Sequence, residues 1–289
     1  MKKNIILDFD GTLTDTSLEA IPFLENSKKH FCDFLSIVEL DEFDVIYQEM
    51  KNRELSDPKV GWEYNGQVIA PAADPYAINN VVLAAIFQAL CDGKLDSRIQ
   101  YDRDKLLTIE KDKLISDNFM KSYNHGFVCF RESQFLTKKY LEDLLVDSNV
   151  AIVTNSGTSA VKEKLNKLGL SVNVYGDAKK YENNQDATEI NPAKLNITDF
   201  PRPILLRRKK YFDLLQYLDK EHGYTPENTV IMGDIYELDL ALPEKMGYGV
   251  VQIQTPFTPV YEVAYHHKNK KSHFVKNYEE ALTVIKGLL

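Results

Sequence analysis

Asn4-Ile5-Ile6-Leu7-Asp8-Phe9-Asp10-Gly11-Thr12 sets a short apolar run against two acids and a glycine turn. A continuous apolar run closed by a turn is the pattern of a strand buried on both faces, as in a parallel sheet. Side chains two residues apart on a strand point the same way, so Asp8 and Asp10 address one side of whatever lies beyond the strand. The same pattern recurs downstream. Val150-Ala151-Ile152-Val153-Thr154 is closed by Asn155-Ser156-Gly157, and a helical stretch with Val161, Leu165 and Leu168 on one face follows, stopping at Gly169. Residues 171–175 alternate like a short strand. Thr229-Val230-Ile231-Met232 stops at Gly233-Asp234, and Gly249-Val250-Val251-Gln252-Ile253 reads as a further strand. Strands alternating with helices predict an α/β fold with a doubly wound, Rossmann-like parallel sheet.

Two pieces break the alternation. Residues 16–133 separate the first strand from the second and carry helical apolar patterns, such as Phe31, Phe34, Leu35 and Val38, and a nearly all-apolar run from 81 to 90. That is far too long for a crossover. The expected organisation is a core of residues 1–15 and 134–289 with an inserted, mostly α-helical cap domain of residues 16–133. Residues 176–203 are polar and read as a long loop or small insertion.

Composition narrows the function classes. The chain has 289 residues, 44% of them hydrophobic, enough for more than one core. No apolar run approaches the length of a membrane span, and the one after Met1-Lys2-Lys3 stops at Asp8, too short for an export signal. Cys32, Cys91 and Cys129 are odd in number and widely spaced, which suits a reducing, cytoplasmic setting and lacks the spacing of a zinc site. A net charge of -8 argues against nucleic acid and acidic membranes as partners. It leaves a small phosphorylated substrate open, because a local metal site can attract phosphate whatever the overall sign.

Ligands of open parallel sheets bind beyond the carboxyl ends of the strands. Those ends here carry Asp8 and Asp10, Thr154 and Asn155, and Asp234. Each alone is an ordinary turn former; their convergence on one rim is what points to chemistry. The residues resemble the haloacid dehalogenase superfamily. Asp8-Phe9-Asp10-Gly11-Thr12 is similar to its first signature, Val153-Thr154-Asn155 to its second, and Gly233-Asp234 with Asp239 to its fourth. The third signature is a lysine ahead of the helix leading to the fourth. Arg207-Arg208-Lys209-Lys210 precede a helical stretch at 212–221 without the usual Lys-Pro, and aligning on that helix places the lysine at Lys209, with Lys210 and Arg208 as alternatives.

The resemblance implies a phosphohydrolase that uses Mg²⁺ and acts on a small phosphorylated metabolite. Asp8 would be the nucleophile that forms an aspartyl-phosphate, and Asp10 the general acid and base. Asp8, Asp234 and the backbone carbonyl of Asp10 would hold Mg²⁺. Thr154 and Lys209 would bind phosphoryl oxygens, helped by backbone amides near Gly11 and Asn155. Asp239 would orient a metal-bound water or Lys209. A phosphomutase on the same scaffold, or a non-catalytic protein binding a phosphate ligand, are the alternatives. Outside this set, the run from His266 to His273 reads as a solvated loop, Asp15 as either a turn cap or a neighbour of the leaving group, and Arg53, Trp62, Tyr64 and Arg131 as pocket or surface residues.

Overall fold

The computed structural model describes residues 3–124, 126–269 and 272–288. Met1 and Lys2 of the export-signal reading, and Lys270 and Lys271 of the His-rich run, lie outside them. In chain order the elements begin with strand β1 (Lys3–Leu7), then helices α1 (Thr16–Leu35) and α2 (Leu40–Ser56). A hairpin β2 (Gly61–Tyr64) and β3 (Gln67–Pro71) leads into α3 (Pro75–Cys91), α4 (Arg103–Thr108) and α5 (Lys111–Ser122). Next come α6 (Gln134–Asp147), β4 (Ser148–Val153), α7 (Thr158–Asn166), β5 (Asn173–Tyr175), and the paired β6 (Lys194–Leu195) and β7 (Ile204–Leu205). The chain then forms α8 (Lys209–His222), β8 (Thr229–Gly233), a single wide π turn (Tyr236–Leu240), α9 (Ala241–Met246), β9 (Gly249–Ile253), α10 (Val260–Lys268), β10 (Ser272–Val275) and α11 (Tyr278–Leu288).

Six strands form one parallel sheet in the order β10-β9-β8-β1-β4-β5. The alternation of side chains along β1 explains why helices cover both faces. Ile5 and Leu7 point into one apolar layer with Tyr140 and Leu144 of α6, Leu165 of α7 and Ile285 of α11. Ile6 points into the other with Tyr211, Leu215 and Leu218 of α8. The chain steps outward from β1 to β4 and β5, then resumes on the opposite side with β8. The carboxyl end of β1 is therefore the topological switch point. The run read as a solvated loop is a correction: His266 to Lys268 end α10, and Ser272 and His273 begin the edge strand β10, whose apolar content is too slight to announce it.

Between β1 and β4 lies the mostly helical insertion. Its helices close around a separate apolar cluster containing Phe31, Phe43, Ile46, Val82, Ile86 and Leu114. The hairpin β2–β3 is the one β element in it among the described residues. The way out and the way back are tied together: Thr14 pairs with Phe130 as an antiparallel bridge, the Asp15 amide donates to the Cys129 carbonyl at 2.8 Å, and the Arg131 amide to the Leu13 carbonyl at 3.0 Å. Asp15 is the N-cap of α1, its carboxylate accepting from the amides of Ser17 and Leu18. No helix of the described residues is long and apolar enough to cross a membrane.

Candidate active site

At the switch point Asp8, Asp234 and Asp239 are all buried, and each brings a carboxylate oxygen within 4.8 Å of the others. Asp8 ends β1, Asp234 follows β8, and Asp239 is turned inward by the π turn. Two glycines make the approach possible. A Cβ on Gly11 would meet Asp234 Oδ2 at 2.1 Å, and one on Gly233 would meet the Asp239 Cβ at 2.5 Å. Gly11 also has φ +77°, a conformation few other residues adopt. Its amide donates to Thr14 Oγ1 at 3.2 Å, and its missing side chain is what lets Asp234 approach.

The lysine of the site is Lys180, not Lys209. Lys180 is 1% exposed, and its ammonium donates to Asp8 Oδ1 at 2.7 Å and Asp239 Oδ1 at 2.8 Å. It comes from the polar segment after β5. Gly176 lets that segment lie against the turn after β4, since a Cβ there would meet the Thr158 amide nitrogen at 2.3 Å. The Asp177 amide then donates to the Ser156 carbonyl, the Ala178 amide to the Thr154 carbonyl, and the Lys180 amide to Asn155 Oδ1 at 2.7 Å. Asn155 thus holds the lysine-bearing loop with its side chain. Lys209, at the first turn of α8, projects to solvent and pairs with Asp213 at 2.5 Å and Glu189 at 3.3 Å. Lys210 pairs with Glu182 at 3.1 Å. Arg208 does turn inward, but to backbone: its guanidinium donates to the carbonyls of Lys180, Leu205, Ile69 and Glu237. It clamps the lysine loop to hairpin strand β3 and the π turn. The only sequence signal for Lys180 is its place just beyond the carboxyl end of β5, on the same rim.

Asp10 sits apart from the three clustered carboxylates. Ser156 Oγ donates to its Oδ2 at 2.6 Å, and the ammonium of Lys164 lies 3.9 Å from its Oδ1. Thr154 is buried, and its hydroxyl oxygen accepts from the Ser156 amide at 3.1 Å, which leaves the hydroxyl proton to donate elsewhere. Arg131 Nη2 donates to the Gly11 carbonyl at 2.5 Å and Nη1 to the Gln254 carbonyl at 2.9 Å, pinning the turn after β1.

Electrostatics define what the cluster can hold. Burial pushes the Asp8 carboxyl up to about 7; Lys180 opposes the shift, and Asp239 and Asp10 add to it. Burial, followed by repulsion from Asp239 and Asp8, raises Asp234 well above the ordinary range. Burial pulls Lys180 down, but Asp239 and Asp8 outweigh it and hold the ammonium above its usual range. One ammonium, bonded to Asp8 and Asp239, is set against a cluster of three carboxylates. Hard oxygen donors with uncompensated negative charge fit a divalent cation of the magnesium type. Behind the cluster, the Gln252 side-chain amide donates to the Asp234 carbonyl at 2.7 Å and to Glu262 Oε2 at 2.6 Å, and its oxygen meets His266 Nε2 at 2.5 Å. Buried His266, expected in a loop, is in α10 and in this network.

The α/β core switched at β1, with a helical insertion after its first strand, has the fold of solved structures described as a HAD-hydrolase and as phosphatases. Three solved structures match over nearly their whole length. YfnB from Bacillus subtilis, assigned as a HAD-hydrolase and bound to magnesium, has TM-score 0.50 and 13% identity, covering 98% of both chains. A predicted phosphoglycolate phosphatase from Haemophilus somnus has TM-score 0.51 and 17% identity over 98% of this chain and 97% of its own. A predicted phosphatase from Clostridium acetobutylicum has TM-score 0.51 and 13% identity over 99% of both. No family model and no curated protein sequence matches the chain.

Proposed function

We propose that this chain is a magnesium-dependent phosphohydrolase acting on a small phosphorylated metabolite through an aspartyl-phosphate on Asp8. The fold alone does not choose the chemistry. The observation that carries the reading is the division of labour among the acids: Asp8 is clustered with Asp234 and Lys180, whereas Asp10 is held outside the cluster by Ser156. A nucleophile and a proton carrier need those separate surroundings. A dehalogenase has no leaving alkoxide to protonate and so no use for the second acid.

In this reading Asp8 attacks phosphorus in line and the ester oxygen departs. Asp10 protonates that oxygen, then takes a proton from the water that opens the acyl-phosphate. The Ser156 hydroxyl keeps Oδ2 of Asp10 occupied and so orients Oδ1. The Thr154 hydroxyl and the Lys180 ammonium face the phosphoryl oxygens, and Asp239 holds Lys180 in position. Asp8, Asp234 and the Asp10 carbonyl would hold magnesium, which supplies the positive field that lets an anion approach a phosphate dianion.

The protein should release phosphate from an aryl phosphate with Mg²⁺, lose that activity in EDTA and regain it when Mg²⁺ is restored. Asp8→Asn should abolish turnover with an unchanged circular dichroism spectrum. Full activity in a metal-free preparation, or substantial turnover by the variant, would remove the assignment.

A further inference from the structure

Val161 and Leu165 of α7 pack into the apolar layer on one face of the sheet, and Lys164 lies on the same side of the helix. A helix stripe of this spacing is ordinarily apolar throughout. Lys164 is nonetheless 3% exposed, and lysine is almost never buried without a partner. Its ammonium lies 5.6 Å from the centre of the Phe9 ring, 3.5 Å from Glu19 Oε1 and 3.9 Å from Asp10 Oδ1.

Glu19 is buried in the first turn of α1, the first helix of the insertion. Both connections of the insertion hold it. On the way out, the Thr14 side chain is hydrogen-bonded to it. On the way back, the Cys129 amide donates to its Oε1 at 3.2 Å. A carboxylate fixed in this way fixes the ammonium beside it.

Stability does not account for the pair. Apolar side chains of similar volume in place of a buried ion pair are often neutral, or better by about 1–4 kcal/mol. What the pair touches does account for it. Ser156 donates to Oδ2 of Asp10, while Oδ1 faces an ammonium that stands beyond hydrogen-bond distance. Glu19, the nearer carboxylate, draws that ammonium to its own side. Oδ1 is therefore steered by charge and not capped by a donor. A proton carrier needs both conditions: a fixed direction, and an oxygen able to take up and release the proton.

We propose that Lys164 is a positioning residue for Asp10, aiming Oδ1 at the ester oxygen, and that Glu19 holds the ammonium at a distance from which it steers without blocking. The inference rests on the phosphatase reading and adds two residues to the support of that same site. It also makes the insertion, through Glu19, a contributor to proton transfer.

The test is kcat/KM of the magnesium-loaded protein on phenyl phosphate, whose phenolate needs a proton as it leaves, and on dinitrophenyl phosphate, whose phenolate does not. Lys164→Met is combined with Glu19→Gln, so that no buried charge is left unpaired. The double variant should lower the rate on phenyl phosphate by about tenfold or more and on the dinitrophenyl ester by less than about twofold. Glu19→Gln alone removes a charge and almost no volume. It should give the same split at about threefold, and it decides the question by itself where the double variant is unstable. Added to Asp10→Asn, the double change should cost nothing further on phenyl phosphate, because changes that act through one group do not add. No loss, an equal loss on both esters, or a loss that adds in full to that of Asp10→Asn would each make the pair merely structural. Each of those results overturns the inference and leaves the phosphatase reading standing. Wild-type protein that hydrolyses neither ester overturns both.

Discussion

Lys180 is fixed by two carboxylates and by backbone on either side, so its ammonium has one place to be. Replacing Lys180 with alanine should lower kcat by about 10²–10³, the usual range for removing one charged donor from a reacting oxyanion. Lys209→Ala should change it by less than about twofold, because exposed ion pairs contribute little. Melting curves with and without Mg²⁺ separate chemistry from stability: the alanine at 180 leaves Asp8 and Asp239 facing one another, and added cation should recover part of the lost stability. If Lys209→Ala is the damaging change, the lysine assignment is reversed. The contrast also shows what the sequence can carry. Asp8, Thr154 and Asp234 were legible because each ends an apolar run, and the sheet geometry places such ends together. Lys180 was not, because nothing in Ala178-Lys179-Lys180-Tyr181 reveals that Asn155 and Arg208 will fold that segment back over the rim. Of the four adjacent cations at 207–210, only Arg208 reaches the interior.

At the scale of elements, α10 and β10 brace the site from behind. His266 on α10 meets Gln252 of β9 through Nε2 and Ser272 of β10 through Nδ1, both at 2.5 Å, and Gln252 in turn holds the carbonyl of Asp234. Burial depresses His266 to about 4, from an ordinary 6.5. Between those values the unfolded chain binds a proton that the folded one refuses, so acid favours unfolding across that window and stability rises with pH through it. A shift of that size corresponds to about 3 kcal/mol. Urea unfolding of wild type and His266→Gln from pH 7 to pH 4 should show the wild-type advantage shrinking by roughly that amount, as expected for one buried neutral histidine. A gap independent of pH would mean that folding leaves the proton affinity of His266 unchanged. None of this network was visible in advance, since the histidines stand among lysines in a run that reads as solvated, and β10 is too short and too polar to declare itself as a strand. The π turn is a similar case: it buries Glu237, Leu238 and Asp239 together, a placement that no helical periodicity indicates.

For the molecule as a whole, the apolar clusters on the two faces of the sheet take no fully buried residue from the insertion, only Phe130 on its way back packs against one of them, and the insertion's helices have a cluster of their own. Joining residue 15 to residue 129 through a short glycine linker should therefore leave a core that folds. It should be a poor enzyme, slower on aryl phosphate by about tenfold or more, for a stated reason: Arg208 loses the Ile69 carbonyl, and Ile235 and Leu238 lose the cover of Ala70 and Ala73. Circular dichroism and an aryl phosphate assay decide it, and a truncated core that does not fold would show the insertion to be integral. The strand order has one more consequence, and it concerns synthesis. β1 is made before either of its neighbours, β4 and β8, and its second neighbour appears only when residue 229 has been made. At usual elongation rates that is a delay of about 10–40 s. For that time the nascent chain holds an apolar strand with one neighbour missing, while the insertion, already made, has most of its own apolar cluster with which to condense first and draw residues 14 and 130 together. The segment that interrupts the sheet in sequence is then the part of the chain that shortens the search for it.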